Sequence, residues 1–261
     1  MRKIYLALFL ISGFVIGSCN KGYSDDVIEG GTILAQTSFE GSMLPFKHAH
    51  SGADIYTDPT APDGSQVLRF TYPPGHPGGY STDVVWVEFQ QGYNEVKVEY
   101  YFKYSENFFF NRVDNKQIYV DTGDQTNFFL SAVDNNYIGG TGIQTEIQYV
   151  GQWGNIGEAE RRWPNMSDVV IFPNIWYKVI FYFKLNTNGR SNGILKVWVN
   201  NTQIMDYSDV VFNTGSSANQ PCYSLKFDPV WGGGGEPKPN TTDYFYVDAV
   251  KIWAGPFKFR V

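Results

Sequence analysis

Cysteine and histidine are scarce in this sequence of 261 residues, which contains two cysteines and three histidines. A catalytic cysteine would want a histidine nearby, and only His48, His50 and His76 are available. His48 and His50 have the spacing of a two-ligand metal clip, but no third ligand is evident, so we interpret them as part of a surface loop. Cys222 begins a strand-like run and is interpreted as a buried, inert thiol.

Positive charge is also in short supply, because 26 Asp and Glu side chains outnumber 20 Lys and Arg and give a net charge of −6. Affinity for nucleic acid comes largely from Lys and Arg on phosphates, so an acidic chain without a basic run is a poor candidate for binding it. The same charge gives the chain no electrostatic reason to lie on anionic lipid. No nucleic-acid partner is expected, and membrane attachment would need another cause.

Long hydrophobic runs are absent apart from one near the N-terminus. Residues 4–16 are predominantly apolar and follow Arg2 and Lys3, but this run is shorter than the roughly 20 residues that span a bilayer. A basic start, a short apolar run and small residues before a cleavage site are typical of a secretory signal peptide.

The residue that follows Gly17 and Ser18 is Cys19, and a cysteine in this place resembles a bacterial lipoprotein signal. The resemblance implies removal of residues 1–18, a lipid on Cys19, and anchoring in the bacterial cell envelope, at the outer membrane with a periplasmic or surface orientation. Residues 19–31 are then a polar, flexible tether. A lipidated Cys19 leaves Cys222 without a partner, so no intramolecular disulfide is expected. The alternative is an ordinary signal peptide with an incidental cysteine.

The sequence has no convincing amphipathic helix, and alternation of apolar and polar residues dominates it. The candidate strands are rich in β-branched and aromatic residues and are bounded by Gly, Pro, Asn or Asp. Ten or more short antiparallel strands predict a single β-sandwich or jelly roll over residues 32–255, followed by a tail at 256–261. These strands are 67–72, 84–89, 96–104, 116–120, 128–132, 145–150, 176–185, 194–199, 223–227 and 244–253.

Residues 176–200 combine a Trp-Tyr strand, a long hairpin with an Asn/Gly-rich tip and the sequence Gly-Ile-Leu-Lys-Val-Trp-Val-Asn. This pattern resembles the concanavalin A-like lectin/glucanase superfamily, especially its bacterial polysaccharide lyases and carbohydrate-binding jelly rolls. Residues 100–107, 115–119 and 246–252 fit the same resemblance, which covers roughly residues 32–255. It implies an all-β fold, an antiparallel β-sandwich of the concanavalin A-like jelly-roll type, and a polysaccharide as partner.

The two ends of the domain carry a second, local resemblance. Thr37-Ser-Phe-Glu40 and Tyr244-Phe-Tyr-Val-Asp248 are similar to the paired ends of carbohydrate-binding jelly rolls, in which such a Glu and Asp share a structural calcium. The resemblance implies that Glu40 and Asp248 are calcium ligands, and carboxylates are ligands that calcium takes. The alternative is that Asp248, which is expected to face inward, accepts hydrogen bonds without a metal.

The polar faces of four strands supply candidate sugar-binding residues. Aromatic platforms suit the C–H faces of sugar rings, and polar side chains suit hydroxyl groups. If these strands belong to the concave sheet, their side chains line one groove; the alternative is that half of them lie on the convex side. Trp231 precedes four glycines that would let it move over such a groove. The candidates are Trp86 and Glu88, Gln117 and Tyr119, Glu146 and Gln148, Lys226 and Trp231.

Retaining glucanases of the superfamily carry Glu-x-Asp-x-x-Glu on one strand, which places the nucleophile and the acid about 5 Å apart. No such triplet occurs here, since Gln148 stands where the nearest match would need Asp. The Gln-x-His strand of the superfamily's alginate lyases is also missing. The sequence therefore favours a monomeric lipoprotein that binds polysaccharide. One alternative is a lyase that acts by β-elimination on a uronate-containing glycan, with His76, Tyr119 and Lys226 as candidates; another is a non-catalytic surface protein with a protein partner.

Overall fold

A computed structural model describes residues 28–122, 126–135, 140–148, 160–187, 190–212, 220–233 and 239–259. These residues form fifteen β-strands, and no helix occurs among them. The part of the chain that the structure describes therefore contains no helix of the length and apolar character needed to cross a membrane. In chain order the strands are β1 Ile28–Thr37, β2 Lys47–His48, β3 Ala53–Thr57, β4 Gln66–Tyr72, β5 Val85–Tyr93, β6 Glu95–Tyr104, β7 Asn115–Thr122, β8 Thr126–Asn135, β9 Gly140–Gln148, β10 Glu160–Arg162, β11 Tyr177–Lys184, β12 Gly193–Val199, β13 Thr202–Val210, β14 Cys222–Phe227 and β15 Asp243–Phe259.

The strands form two antiparallel sheets. The eight-stranded sheet has the order β13-β12-β11-β6-β15-β4-β3, and β1 pairs with β15. The seven-stranded sheet has the order β10-β9-β8-β7-β14-β5-β2. This arrangement confirms the predicted all-β sandwich, and the predicted long hairpin is the pair β11–β12.

Strand alternation places large apolar side chains between the sheets. Val98, Tyr100 and Phe102 of β6 are fully buried, as are Leu225 and Phe227 of β14 on the opposite sheet. The rings of Tyr100 and Phe227 meet edge to face, with centroids 5.4 Å apart, and so connect the two sheets. Full burial of each large apolar side chain contributes about 1.5–3 kcal/mol, which makes this layer the main source of stability.

A smaller apolar cluster covers part of the outer side of the eight-stranded sheet. Tyr182 and Trp198 lie at its centre, and Ile28 packs against them. Phe257 and Phe259 close it from the C-terminal end of β15, both edge-on to Tyr182. β1 begins at Ile28 and β15 ends at Phe259, so strand structure is present on both sides of the range 32–255 predicted for the domain. The predicted signal peptide, Cys19 and most of the predicted tether lie outside the described residues.

Candidate binding and catalytic face

The outer face of the seven-stranded sheet carries a row of cationic and aromatic side chains. In the sheet register Lys47 lies opposite Trp86, Trp86 opposite Lys226, and Lys226 opposite Tyr119. Residues directly opposite each other in an antiparallel pair point to the same face. We call these four residues the front row. The register continues through positions 129 and 146 to Arg161 at the edge of the sheet.

Hydrogen bonds hold the first half of the front row. The Lys47 ammonium donates to Glu88 Oε2 at 2.7 Å, and Trp86 Nε1 donates to Glu88 Oε1 at 3.2 Å. These two hydrogen bonds lower the pKa of the Glu88 carboxyl, and the bond from Lys47 has the larger effect. Both partners of the Lys47–Glu88 pair are well exposed, so water screens this pair and it contributes little to stability. Its carboxylate and ammonium remain accessible from the solvent.

Tyr119 lies at the centre of the face between two lysines. The Lys226 ammonium is 5.4 Å from the centroid of the Tyr119 ring, and the Lys116 ammonium is 5.9 Å from it. Lys226 Nζ also lies 3.1 Å from Asp121 Oδ1, while Ser224 Oγ donates to Asp121 Oδ2 at 2.9 Å. Tyr119 is 6% exposed and the Lys226 side chain is 22% exposed. A phenol and two ammonium groups therefore meet at a half-covered position on the sheet.

Asp228 follows β14 and adds an acid to this cluster. Burial raises the pKa of the Asp228 carboxyl, although a hydrogen bond with Ser81 and the nearby charges of Lys226 and Lys116 oppose the rise. A carboxyl with a raised pKa keeps its proton to higher pH and can serve as a proton donor. The face thus combines the ammonium groups of Lys116 and Lys226 with a phenol and a carboxyl whose pKa is raised.

The structure brings together four of the predicted site residues, namely Trp86, Glu88, Tyr119 and Lys226. Positions 146 and 148 lie in register with positions 129 and 127 on the neighbouring strand of the same sheet, but their side chains lie outside the described residues. The sequence prediction missed Lys47, Lys116 and Asp121, whereas Asp228 was expected to share a face with Lys226.

Gln117 was predicted to share a face with Tyr119, and this prediction is wrong. A bulge between Lys116 and Ile118 turns Gln117 into the core, where it is fully buried. Its Oε1 accepts a hydrogen bond from the Tyr100 hydroxyl at 2.8 Å, and its Nε2 donates to the Tyr104 hydroxyl at 3.0 Å. A bulge places two consecutive residues on one side of the strand, so simple alternation fails there.

Trp231 is not a mobile residue at the rim of a groove. It is 1% exposed, its Nε1 donates to the Phe109 carbonyl at 2.8 Å, and its backbone N–H donates to the Tyr80 carbonyl at 3.1 Å. A tryptophan held in the core by both its ring and its backbone cannot swing over the sheet.

His76 also lies apart from the front row. It is 7% exposed, its Nε2 lies 3.0 Å from the Tyr80 carbonyl oxygen, and its ring packs edge-on against Tyr72. The His76 ring is thus held by a backbone carbonyl and an aromatic neighbour, and its catalytic role stays a prediction. His48 Nδ1 lies 2.9 Å from the His50 carbonyl oxygen, and both residues are exposed. They were predicted to lie in a surface loop, but His48 belongs to the two-residue strand β2 and only His50 follows it in a loop.

The predicted calcium ligands Glu40 and Asp248 both bind the loop between β3 and β4. Glu40 Oε1 accepts hydrogen bonds from the N–H groups of Ser65 and Gln66 at 2.7 and 2.6 Å. Asp248 Oδ2 accepts one from the N–H of Asp63 at 2.9 Å. Asp248 is fully buried, and burial, together with the carboxylates of Asp63 and Glu40, raises its pKa to about 6.

An open polar pocket of about 440 Å³ lies beside this loop and includes Glu40 and Asp63 in its lining. Among the described residues, no group of three or more Asp, Glu, His and Cys side chains is placed to hold a metal. Calcium would therefore need hydroxyl or main-chain oxygens in addition, which it accepts readily. Thr37, Ser38 and Ser42 supply hydroxyls to the pocket lining. The calcium site stays a prediction. The alternative, in which Asp248 accepts hydrogen bonds without a metal, requires hydrogen bonds of the kind observed here.

No protein-family model matches the sequence, and a comparison with curated proteins finds no match. Solved structures do match. A mutant of alginate lyase Aly36B in complex with alginate trisaccharide has a TM-score of 0.60 at 17% identity, covering 87% of this chain and 95% of that one.

Two further solved structures of polysaccharide lyases also match the fold of this chain. The PL-14 alginate lyase from Aplysia kurodai has a TM-score of 0.61 at 14% identity, over 86% and 100% of the two chains. The endo-β-1,4-glucuronan lyase from the fungus Trichoderma reesei has a TM-score of 0.55 at 14% identity, over 79% and 89%. The predicted resemblance is confirmed at the level of the fold: this chain is a β-sandwich jelly roll similar to those of polysaccharide lyases.

Proposed function

We propose that the protein binds an acidic, uronate-containing polysaccharide on the outer face of the seven-stranded sheet and cleaves it by β-elimination. The observation that carries the proposal is the position of Tyr119 between Lys116 and Lys226, on the central strand of the seven-stranded sheet. A uronate carboxylate needs a positive partner, and the elimination needs a group that moves a proton. The likeness to alginate and glucuronan lyases supports the same reaction class.

In this reaction the C5–H bond of a uronate residue breaks, and its electron pair forms a double bond between C4 and C5. The bond from C4 to the glycosidic oxygen breaks at the same time, and that oxygen takes up a proton. Lys226 would pair with the substrate carboxylate, which makes the C5 proton more acidic, and Tyr119 would move the proton. In the free protein Lys226 pairs with Asp121 at 3.1 Å, and a substrate carboxylate would compete with Asp121 for the same ammonium group.

A panel of acidic and neutral polysaccharides, incubated with residues 20–261, tests the proposal. Near-ultraviolet absorbance of unsaturated products is followed together with the appearance of reducing ends. Both signals on a uronate polymer are expected. Reducing ends without absorbance would assign hydrolysis instead, and the absence of both across the uronate panel would contradict cleavage.

The second candidate function is binding of an acidic polysaccharide without cleavage. It is favoured by the 6% exposure of Tyr119, which leaves little of the phenol open to a substrate, and by the exposed Trp86–Glu88 pair beside it. Retention on uronate gels, without any product, would assign this function.

We further propose that the protein works from a lipid anchor on Cys19 in the bacterial cell envelope. The support is the order of charge, apolar run and small residues before Cys19. Mass spectrometry of the full chain expressed in a bacterium would show acyl groups on Cys19. A Cys19→Ser variant is expected in the soluble fraction; its retention in the membrane fraction would contradict the anchor.

A further inference from the structure

The outer face of the eight-stranded sheet carries a second row of aromatic and charged side chains. In the register Arg69 lies opposite both Asp54 and Tyr246, and Tyr246 lies opposite Lys103. Trp176 immediately precedes β11, and its ring lies 4.9 Å from the Lys103 ammonium. We call these five residues, together with the neighbouring Tyr56 and Tyr244, the back row. It crosses five strands, roughly 19 Å at about 4.8 Å per strand.

Four aromatic rings give the back row its shape. The Tyr246 ring lies at the centre, with its centroid 6.5 Å from that of Trp176, 6.0 Å from that of Tyr56 and 5.9 Å from that of Tyr244. Tyr56 is 39% exposed, and Trp176 and Tyr244 are half-buried. Rings with an apolar body and a polar tip are typical of surfaces that recognise partly polar ligands.

The remaining part of this outer face is covered by the protein itself. Phe257 and Phe259 pack over Tyr182 beside Trp198, which closes that part. Asp54 and Tyr56 of the back row stay accessible, with 49% of the Asp54 side chain exposed. The described residues thus seal one part of the face and, on another, leave Tyr56 and Asp54 exposed and Trp176 and Tyr244 half-buried around the buried Tyr246 ring.

The charges of the back row are already balanced in pairs. Arg69 donates from Nε and Nη2 to the two oxygens of Asp54, at 2.9 and 2.6 Å. Lys103 donates to Asp58, and both of these side chains are more than nine-tenths buried. A uronate carboxylate would meet Asp54 and would have to break both of its hydrogen bonds with Arg69, whereas Lys226 of the front row is held to Asp121 by a single contact of 3.1 Å. Sugar hydroxyls can donate to Asp54 and accept from Arg69 without displacing either.

From this charge balance and the row of rings we infer that the back row is a second polysaccharide site, one that takes an uncharged glycan chain. Sugar rings stack on Tyr56, Tyr244 and Trp176, and their hydroxyls bond to Asp54 and Arg69. The site does not depend on the chemistry proposed for the front row. It lies on the opposite sheet, so the protein would hold a neutral glycan while its front face engages an acidic one.

Affinity electrophoresis tests the back row with gels that contain hydroxyethyl cellulose, galactomannan, laminarin, alginate or polygalacturonate. The wild-type protein is expected to be retarded in at least one neutral gel. Tyr56→Ala and Trp176→Ala should each weaken this retardation at least tenfold in apparent Kd. Tyr80→Ala is the matched control, because Tyr80 is an aromatic residue of 64% exposure outside the back row.

Lys226→Ala separates the two faces, since it should leave neutral-gel retardation unchanged. Retardation in no neutral gel would overturn the inference, as would neutral-gel retardation that both back-row variants retain in full. Retardation that occurs only in acidic gels and is lost in Lys226→Ala would assign all glycan binding to the front row. Circular dichroism of each variant confirms that a loss of retardation is not a loss of fold.

Discussion

Lys226 and Tyr119 lie opposite each other on β14 and β7, and the Lys226 ammonium is 5.4 Å from the centroid of the Tyr119 ring. Both lie on strands within the sheet rather than on loops, so their relative position is fixed by the backbone ladder. The pair therefore provides the sharpest test of the proposed chemistry.

Lys226→Ala and Tyr119→Phe should each lower the turnover of a uronate polysaccharide by roughly 10²- to 10⁴-fold, the usual contribution of a positioned proton-transfer or charge-stabilising group. Initial rates of absorbance by unsaturated products measure this. Lys184→Ala is the control, because Lys184 is half-exposed on the other sheet. Full activity in Tyr119→Phe would remove Tyr119 from the mechanism.

Asp121→Asn should strengthen the binding of acidic polysaccharide several-fold at low salt. Asp121 competes with a substrate carboxylate for Lys226, so its neutralisation frees the ammonium group. The gain should shrink as ionic strength rises, since added salt screens charges at the surface. Retention on alginate gels measures it, against Asp168→Asn as a matched change of one exposed charge. Equal retention of the two variants would contradict competition at Lys226.

Alternation was sufficient to predict the fold because most strands bury one face. Val179, Phe181 and Phe183 of β11 alternate with outward-facing residues, and the structure buries all three between the sheets. The register of such a strand is strongly specified, because a slip of one residue would expose its apolar set. No strand pattern indicated the order of the strands in each sheet, and the resemblance added only the concanavalin A-like type of the jelly roll.

The candidate site was predictable only in part, for reasons visible at single residues. Lys47 belongs to a strand of two residues, which is too short to show a period. Lys116 lies just before the bulge at Gln117, which interrupts the alternation that the prediction used. Trp231 was expected at the surface because of the glycines after it, whereas its burial depends on contacts with residues distant in sequence.

Gln117→Leu should destabilise the protein without changing its affinity for glycans. The substitution leaves the buried hydroxyls of Tyr100 and Tyr104 without their shared partner, and each unpaired group costs about 1–3 kcal/mol. Urea denaturation measures the loss. A triple variant that adds Tyr100→Phe and Tyr104→Phe should recover much of it, because no polar group is then left unpaired. Loss of glycan retention in a folded Gln117→Leu would return Gln117 to the binding site.

Calcium should raise the melting temperature if Glu40 and Asp248 form the proposed site. A ligand present at 100 times its Kd adds about 2.7 kcal/mol to the free energy of unfolding. Differential scanning calorimetry in calcium and in chelator measures the difference. Glu40→Gln should abolish it, because it removes a charged ligand at the pocket. Identical melting of the wild type in both buffers would favour the metal-free alternative.

Lys103 of the back row forms a buried ion pair with Asp58, and the Asp58 and Lys103 side chains are 7% and 8% exposed. Asp58→Asn leaves the Lys103 ammonium buried without its counter-charge, a change that typically costs about 3–5 kcal/mol. Asp54→Asn is the contrasting variant, because its pair with Arg69 is partly exposed and should contribute about 1 kcal/mol or less. Urea denaturation at neutral pH should therefore rank the two variants clearly.

The pH dependence of stability gives an independent check on the same pair. Burial alone would raise the pKa of the Asp58 carboxyl, but hydrogen bonds from Lys103 and Thr60 outweigh it and place the pKa below its ordinary value of 3.8. A carboxyl whose pKa is lowered on folding stabilises the folded state above the unfolded pKa, and this contribution is lost as the pH falls through the folded value. The wild type should therefore lose more stability than Asp58→Asn between pH 5 and strong acid. Parallel pH profiles of the two proteins would show that Asp58 makes no ionised pair with Lys103.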